Sequence, residues 1–363
     1  HYREVRDLLG NDYYHYDGND FDSGFDYFKT LGDKIDYNNT NTVNWLGGYL
    51  QGEYTKNKWT VYGTAGYSMI KYDFVDHFSM NPSGGEVTAE TDWISGYQFK
   101  GGASFRASNQ VHLFVNGGYV SKVPIFDQVI DDGNGSVIED HNNEKFISFE
   151  TGLNTSLAKN KVNLSFNIYY TDWSDRAQTM GVQNADGSDG LVRLDGISST
   201  HMGAELEGNW QPCKLVRLNG VFSYGIWEYT EDVSGTFVPD RSDPSTTEEF
   251  NYYIKDLKVG DAPQTQVVAG LSFYPVPGMQ AQVLWRYYDN YYSQYDPFDR
   301  TDEDDREQVW QIPAYSLVDV NFAYRIPGQV AGMGVTLFAH VFNVLNELYV
   351  QDATDNDLSL IHI

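Results

Sequence analysis

The sequence predicts an all-β protein, a transmembrane up-and-down antiparallel β-barrel, on the basis of three observations. Twelve runs of alternating apolar and polar residues follow one another along the chain. The connections between these runs are short and long in strict alternation. Aromatic residues are abundant, with 28 Tyr, 20 Phe and 8 Trp among 363 residues. Together these features are typical of barrels that cross a membrane with strands.

The alternating runs predict the strands. Between Val162 and Thr171, apolar residues at even positions alternate with more polar residues at odd positions. A period of two indicates a strand whose two faces meet different surroundings. Each run has about 10–15 residues, which is enough for a tilted strand to cross a bilayer. The other runs start near Thr42, Lys58, Thr91, Gln110, Lys145, Ser199, Leu215, Gln264, Met279, Pro313 and Gly332.

The connections predict how the strands follow one another. Alternation of short and long connections is typical of a bacterial barrel with short periplasmic turns and long outer loops. A soluble sandwich, the alternative, would carry Greek-key crossovers and no such order of turn lengths. Tight connections lie at 56–58, 107–109, 159–161, 211–213, 274–278 and 326–328, and long polar stretches lie at 74–91, 121–144, 174–198, 228–263 and 293–312.

The chain is strongly acidic, with a formal net charge of -27. Acidic residues concentrate in the long loops, for example at 296–307. Because no basic patch is available to neutralise phosphates, we exclude nucleic acid as a partner. The chain has no stretch of about 18 apolar residues, so we expect no transmembrane helix. The single cysteine, Cys213, cannot form an internal disulfide.

Many aromatic residues fall near the ends of the predicted strands. Amphipathic rings favour the headgroup level of a membrane, so this clustering predicts aromatic girdles at the two interfaces. Ordinary strand propensity, which also favours aromatic residues, is the alternative explanation. The residues concerned are Trp59, Tyr67, Trp93, Tyr97, Tyr119, Tyr170, Trp173, Trp210, Tyr224, Trp227, Trp285 and Tyr324.

The alternation also assigns residues to the lumen of the predicted barrel. A basic residue on the lipid face near the midplane would cost about 2–4 kcal/mol, so charged residues within the runs are expected to point inward. Such a lumen is either a water-filled channel or a surface that contacts an inserted plug. The candidate substrate- or plug-facing residues are Lys100, Arg106, Glu150, Glu205, Glu207, Arg286, Tyr288, Asp319 and His340. We expect no metal site and no cofactor, because the eight His residues show no metal-ligand spacing.

Four segments of the chain resemble TonB-dependent outer-membrane receptors. Residues 340–349 are similar to the Asn-Leu-Phe-Asp-x-x-Tyr pattern that opens the last hairpin of these barrels. Residues 203–207 resemble their Gly-Val-Glu-Leu-Glu strand element, and residues 32–48 resemble a loop-to-strand passage. Pro124 belongs to an element that resembles Arg-x-Pro-x-Phe, in which Lys122 stands where Arg is usual.

The resemblance implies a whole protein with a barrel of about 22 strands, of which this chain supplies about 12. It also implies an N-terminal plug domain and a TonB box, which we expect upstream of residue 1, together with an export leader. We expect residues 1–41 to be a remnant of an extracellular loop and residues 42–350 to be the barrel strands with their turns and loops. Residues 351–363 are expected to be a loop remnant or a non-native tail.

The function that the resemblance implies is active import of a scarce nutrient across the outer membrane of a Gram-negative bacterium. The ligand is left open between an iron chelate, a cobalamin-like cofactor, and an oligosaccharide or peptide. The expected partners are the TonB complex, outer-membrane lipid, the nutrient and a surface lipoprotein. A passive diffusion porin is the alternative. An outer-membrane enzyme is a weaker one, because no spacing of Ser, His and acidic residues selects a catalytic set, and we expect no enzymatic activity.

Overall fold

A computed structural model gives the fold of most of the chain. It describes residues 2–5, 13–14, 28–81, 84–138, 141–183, 189–239, 246–329 and 332–355. Of the two predicted terminal segments, most of 1–41 and residues 356–363 lie outside these ranges. No helix in the described ranges is long and apolar enough to cross a membrane.

Most of the described residues lie in strands, with 3-10 turns at Phe126–Gln128 and Pro297–Arg300. The strands are β1 (Tyr2–Glu4), β2 (Tyr13–Tyr14), β3 (Phe28–Lys29), β4 (Lys34–Lys56), β5 (Trp59–Met80), β6 (Glu86–Glu90), β7 (Ile94–Arg106), β8 (Val111–Lys122), β9 (Ile130–Asp131), β10 (Ser136–Val137), β11 (Glu144–Leu157), β12 (Val162–Gln183), β13 (Asp189–Cys213), β14 (Val216–Tyr229), β15 (Val233–Val238), β16 (Glu248–Tyr252), β17 (Thr265–Phe273), β18 (Met279–Asp289), β19 (Tyr291–Tyr292), β20 (Gln294–Tyr295), β21 (Gln311–Ile312), β22 (Tyr315–Arg325), β23 (Thr336–Val341) and β24 (Thr354–Asp355).

One sheet of 16 strands dominates the described structure. Each of the twelve predicted runs lies in one strand of this sheet, and these strands pair in the order of the chain: β4, β5, β7, β8, β11, β12, β13, β14, β17, β18, β22 and β23. Every pairing along this path is antiparallel. The predicted all-β, up-and-down architecture is therefore confirmed. We call these twelve strands the wall.

The short connections close tight hairpins at one end of the wall, which we call the short-turn end. Lys56 pairs directly with Trp59, and Asn57 between them has a φ of 56°. Asn tolerates this left-handed conformation, which suits the twist of a two-residue hairpin. Gly278 has a φ of 85°, and a Cβ there would lie 2.7 Å from the carbonyl oxygen of Arg325. The turn before β18 therefore requires glycine.

The strand register separates an apolar face of the wall from a polar one. Opposed residues share a face, so the pairs Leu206–Phe222 and Leu271–Val283 belong to the apolar face. The four side chains of these pairs are 44–46% exposed to solvent in the chain alone. An apolar surface that remains this exposed is one that lipid can cover.

Several wall strands continue beyond the length that a bilayer needs. β12 has 22 residues and β13 has 25, whereas a tilted strand crosses a bilayer with about 9–11. The extended end of β13 pairs with β15, and β15 pairs with β16, so the long loops carry sheet structure of their own. These loops bury an apolar cluster that we call the first loop core: Val192, Leu194, Ile197, Tyr229, Val233, Tyr252, Ile254, Leu257, Tyr295 and Val309.

A second loop core lies under the loop that follows β8. It contains Tyr72, Phe74, Ala89, Val129 and Ile130. An ion pair joins the two loop cores, because Arg193 Nη2, beside Leu194 of the first, lies 2.6 Å from Asp131 Oδ2, beside Ile130 of the second. The Asp131 side chain is only 1% exposed, so the long loops are packed against one another rather than extended separately into solvent.

Candidate functional site

Three of the predicted lumen-facing residues line one cavity on the polar face of the wall. Lys100 on β7, Glu150 on β11 and Glu205 on β13 contribute to a cavity of about 770 Å³. Residues opposed to each other in neighbouring strands share a face of the sheet. Following the paired residues from β7 to β13 shows that these three side chains project from the same face. The alternation of the sequence brings them together, although they are distant along the chain.

Amide and hydroxyl groups orient the two carboxylates of the cavity. Asn167 Nδ2 donates to Glu150 Oε1 at 3.0 Å and to Glu205 Oε2 at 3.3 Å. Asn116 Nδ2 donates to the other oxygen of Glu150 at 3.4 Å, and Ser223 Oγ donates to Glu205 Oε1 at 3.4 Å. Hydrogen bonds to a carboxylate fix its orientation and leave further lone pairs to accept from a ligand.

The charges of the cavity are not neutralised by neighbouring side chains. Within the described ranges, no ion pair involves Lys100, Glu150 or Glu205. Lys100 and Glu205 are exposed, and Glu150 is half-buried. Among the described residues, these three charges therefore have no oppositely charged partner.

A row of aromatic rings crosses the polar face on the long-loop side of the carboxylates. The centroids of Phe146 and Trp173 are 5.1 Å apart, those of Trp173 and His201 are 6.2 Å apart, and those of His201 and Trp227 are 5.6 Å apart. These separations are within the range of aromatic pairs. Each strand from β11 to β14 contributes one ring, so the row continues across four neighbouring strands.

Polar contacts hold both tryptophans of this row. Trp173 Nε1 donates to Glu144 Oε2 at 3.1 Å, and Glu144 is in turn 3.1 Å from Lys122 Nζ. At the β14 end of the row, Trp227 Nε1 donates to the hydroxyl of Tyr169 at 3.0 Å. Lys122, where the family resemblance would have placed an arginine, thus supports the aromatic row through Glu144.

The predicted residues Arg286, Asp319 and His340 lie elsewhere on the polar face. Arg286 and Asp319 form an ion pair between β18 and β22. Asp319 is 3% exposed, and its Oδ1 also accepts the backbone N–H of Asn343 at 2.9 Å. His340 Nδ1 lies 2.7 Å from Asn321 Oδ1. These contacts tie the strands from β18 to β23 together, so this group is separate from the cavity.

The remaining three predicted residues do not join the cavity either. Glu207 lines a smaller cavity of about 360 Å³ nearer the short-turn end. Arg106 is exposed at the end of β7, and the ring of Tyr288 lies 5.1 Å from that of Tyr315. The nine predicted residues share one face of the wall without forming one site, and their contact with a substrate or plug stays a prediction.

Two tryptophans of the predicted girdle belong to the polar face instead. Trp173 and Trp227 lie in the aromatic row, so their placement in a lipid-facing girdle is wrong. The girdle prediction used only their position near strand ends, whereas parity along the strand decides the face. Trp173 has the same parity as Asn167, and Trp227 has the parity of Ser223, so the sequence contained the signal.

The described ranges contain no group of three or more His, Cys, Asp or Glu side chains that could hold a metal ion. The chemistry that the cavity offers consists of hydrogen bonds from amide, hydroxyl and ammonium groups, acceptance by two carboxylates, and contact with aromatic rings. This is the chemistry of a binding surface.

A protein-family model described as TonB dependent receptor-like, beta-barrel matches residues 3–344 of the chain. The resemblance inferred from the sequence is therefore confirmed. Among curated proteins, none matches the chain in sequence.

Solved structures share the fold of the chain at low sequence identity. A structure named copper transporter OprC has a TM-score of 0.60 and 14% identity, covering 87% of this chain and 44% of its own. The ferric-catecholate import receptor Fiu from E. coli K12 has a TM-score of 0.60 and 12% identity, covering 91% and 44%. The siderophore receptor PiuA from Acinetobacter baumannii has a TM-score of 0.60 and 16% identity, covering 90% and 42%. The chain thus spans less than half the length of these proteins.

Proposed function

Because the chain belongs to the family of TonB-dependent receptor-like β-barrels, we propose that it forms part of an outer-membrane receptor that imports a nutrient with energy from the TonB complex. The observation that carries the proposal is the wall itself, with its apolar face outward, its polar face lining a cavity and its strands in chain order. These features support a barrel that surrounds a ligand path through a bilayer.

The proposed orientation follows from the two ends of the wall. The short-turn end faces the periplasm, and the two loop cores lie outside the cell, where a receptor first meets its ligand. Folded outer loops suit a receptor because they hold binding groups in fixed positions. The partners that this proposal requires are outer-membrane lipid, the TonB complex, a plug domain supplied by the whole protein, and the nutrient.

The comparison structures do not choose the nutrient. Their names mention copper, ferric catecholates and a siderophore, but identities of 12–16% support a common fold only. The ligand classes considered remain an iron chelate, a cobalamin-like cofactor, and an oligosaccharide or peptide.

Binding of the full-length receptor to the periplasmic domain of TonB tests this function without knowledge of the ligand. We expect saturable binding by surface plasmon resonance, and we expect its loss when the segment preceding the plug is deleted. A receptor that does not bind TonB and that conducts ions as an open channel in a planar bilayer would instead be a porin. That result would contradict the proposal.

A further inference from the structure

Two rings of the cavity lie flat against the wall because glycines stand beneath them. A Cβ at Gly203 would lie 2.6 Å from the Tyr169 hydroxyl, and a Cβ at Gly225 would lie 2.7 Å from Trp227 Nε1. Real Cβ atoms do not approach other atoms this closely, so any other residue at either position would push the rings away from the wall. The hydrogen bond between Trp227 and Tyr169 fixes the two rings relative to each other.

The result is a flat aromatic surface that faces the cavity. Tyr169 and Trp227 are half-buried, with the wall on one side and the cavity on the other. The neighbouring rings of His201, Trp173 and Phe146 border this surface but do not extend its plane, because successive rings of the row are inclined to one another by 27–50°. Two rings held flat beside each other suit a ligand that carries a ring of its own.

The polar groups beside this surface include donors and acceptors in close alternation. Glu150 and Glu205 accept, Asn116 and Asn167 can do both, and the unpaired Lys100 donates. A ligand that carries many hydroxyl groups can satisfy all of them, because each hydroxyl both donates and accepts. A ligand of one charge would be attracted by some of these groups and repelled by others.

We propose that the cavity between the aromatic row and the Glu150–Asn167–Glu205 network binds a neutral oligosaccharide. A pyranose ring has an apolar face of C–H groups, which would stack on Tyr169 and Trp227, and a rim of hydroxyls, which would reach the carboxylates and amides. This inference rests on the proposed import function and specifies its substrate class.

The same observations argue against an anionic iron chelate and against a directly bound metal ion. An anionic iron chelate would approach a chain of net charge -27 and would then face two unpaired carboxylates. Directly bound metal would need a cluster of ligating side chains, and the described ranges contain none.

A glycan array probed with the fluorescently labelled full-length receptor tests the proposal. We expect neutral oligosaccharides to be bound in preference to acidic ones, and the tightest of them would be measured by isothermal titration calorimetry. Replacing the stacking ring in Trp227→Ala should weaken this binding by about tenfold or more. Trp227→Phe keeps a flat ring and should retain most of the affinity.

Two further variants make the test specific. Trp210→Ala removes a tryptophan from the apolar face, 49% exposed in the chain alone, and should leave binding unchanged. Glu205→Gln keeps the size of the side chain and one acceptor oxygen but removes the charge. It should therefore weaken binding by a smaller factor than Trp227→Ala. Heat-modifiable migration on gels would show that each variant is folded.

An uptake assay distinguishes failure of the oligosaccharide proposal from failure of the proposed import function. Import of the labelled oligosaccharide by cells with and without TonB reports the function, and the array reports the ligand. Binding without TonB-dependent uptake would overturn the import function and leave the site intact. An array without a neutral glycan ligand, affinity unchanged in both Trp227→Ala and Glu205→Gln, or tight binding of a ferric chelate or a peptide at this site would overturn the oligosaccharide proposal.

Discussion

The wall and the first loop core share strands, but apolar side chains on these strands are exposed in the wall and buried in the loop core. Leu194 and Leu206 both stand on β13, yet the first is 0% exposed and the second is 44% exposed. Leu194 packs among other apolar side chains in the first loop core, as in a water-soluble protein. Leu206 projects from the apolar face of the wall, where lipid is the expected neighbour. We therefore expect this one strand to pass from a membrane environment into an aqueous one, because the burial of its leucines changes along its length.

This contrast extends to the polar groups. In the loops, arginines pair with acids around the apolar clusters: Arg193 with Asp131, Arg300 with Asp355, and Arg306 with Asp232. In the cavity of the wall, by contrast, Glu150 and Glu205 form no ion pair within the described ranges and accept hydrogen bonds from the Asn167 amide. The loops are thus stabilised by their own charge pairs, whereas neutral groups hold the two carboxylates of the cavity.

The largest expected effect is a difference in thiol labelling between the two ends of the wall, which reports the side of the membrane that each end faces. Cys213 is exposed at the short-turn end of β13, and Ser234 is exposed on β15 in the loops. A membrane-impermeant maleimide added to intact cells should label a Ser234→Cys variant and leave Cys213 unlabelled. Permeabilising the outer membrane should then expose Cys213.

The control is the Cys213→Ser background, which reports any other thiol of the full-length protein. Strong labelling of Cys213 in intact cells would show that the short-turn end faces outward. It would also contradict the assignment of the wall to the membrane and of the loop cores to the outside of the cell.

The second prediction compares the loss of stability when each of the two leucines of β13 is replaced by alanine. Leu194→Ala should leave a cavity in the first loop core and reduce its local stability by about 2–5 kcal/mol. Leu206→Ala should cost less, because fluid lipid can fill the space that the side chain vacates. Hydrogen exchange of the Tyr229 amide, which donates to the Leu257 carbonyl at 2.9 Å, would measure the difference in lipid nanodiscs. Equal effects would mean that both leucines have the same surroundings.

A smaller effect is expected at the ion pair that joins the two loop cores. Arg193→Ala would leave the Asp131 carboxylate, 1% exposed, without its cation and should cost about 1.5–3 kcal/mol. The double variant Arg193→Leu with Asp131→Leu should be more stable than Arg193→Ala, because no buried charge then lacks a partner. Protease resistance of the loops would measure both. A single variant as stable as the parent would show that the two loop cores are independent.

The sequence predicts the wall well because its alternation is a local property. All twelve runs became paired strands, since period-two alternation and tight turns determine a hairpin without reference to the rest of the chain. The sequence does not predict the structure where segments that are distant along the chain pack together. The added strands β6, β15 and β16 lie in stretches that the sequence presents only as polar connections, and so do the residues of both loop cores apart from Tyr72. Their apolar residues are scattered, and packing between loops decides their burial.

The candidate site was predicted in part for the same reason. Parity placed Lys100, Glu150 and Glu205 on one face, and register brought them to one cavity. The bridging role of Asn167 depends on side-chain distances across three strands, which no sequence pattern states. The flat rings over Gly203 and Gly225 depend likewise on contacts between neighbouring strands, so the glycines gave no signal until the strands were paired.

The smallest expected effect concerns the exposed pair of Arg306 and Asp232, which contrasts with the buried pair of Arg193. Arg306 donates to both oxygens of Asp232, at 2.8 and 3.0 Å, and this hydrogen bonding lowers the pKa of the Asp232 carboxyl below its ordinary value. A carboxyl whose pKa is lower in the folded state stabilises that state above its ordinary pKa and ceases to do so as pH falls through the lowered value.

Loop protection contributed by Asp232 should therefore stay constant between about pH 7 and 5 and decline only below about pH 4. Both side chains are about a third or more exposed, at 41% and 32%, so high salt should weaken the pair, whereas it should affect the buried Arg193–Asp131 pair little. Hydrogen exchange of the Lys255 amide, which donates to Asp232 Oδ1 at 2.9 Å, would follow the pair directly, with Arg306→Gln as the control that keeps the acceptor. Exchange that is insensitive to both salt and Arg306→Gln would show that the loops are held by their apolar cores alone.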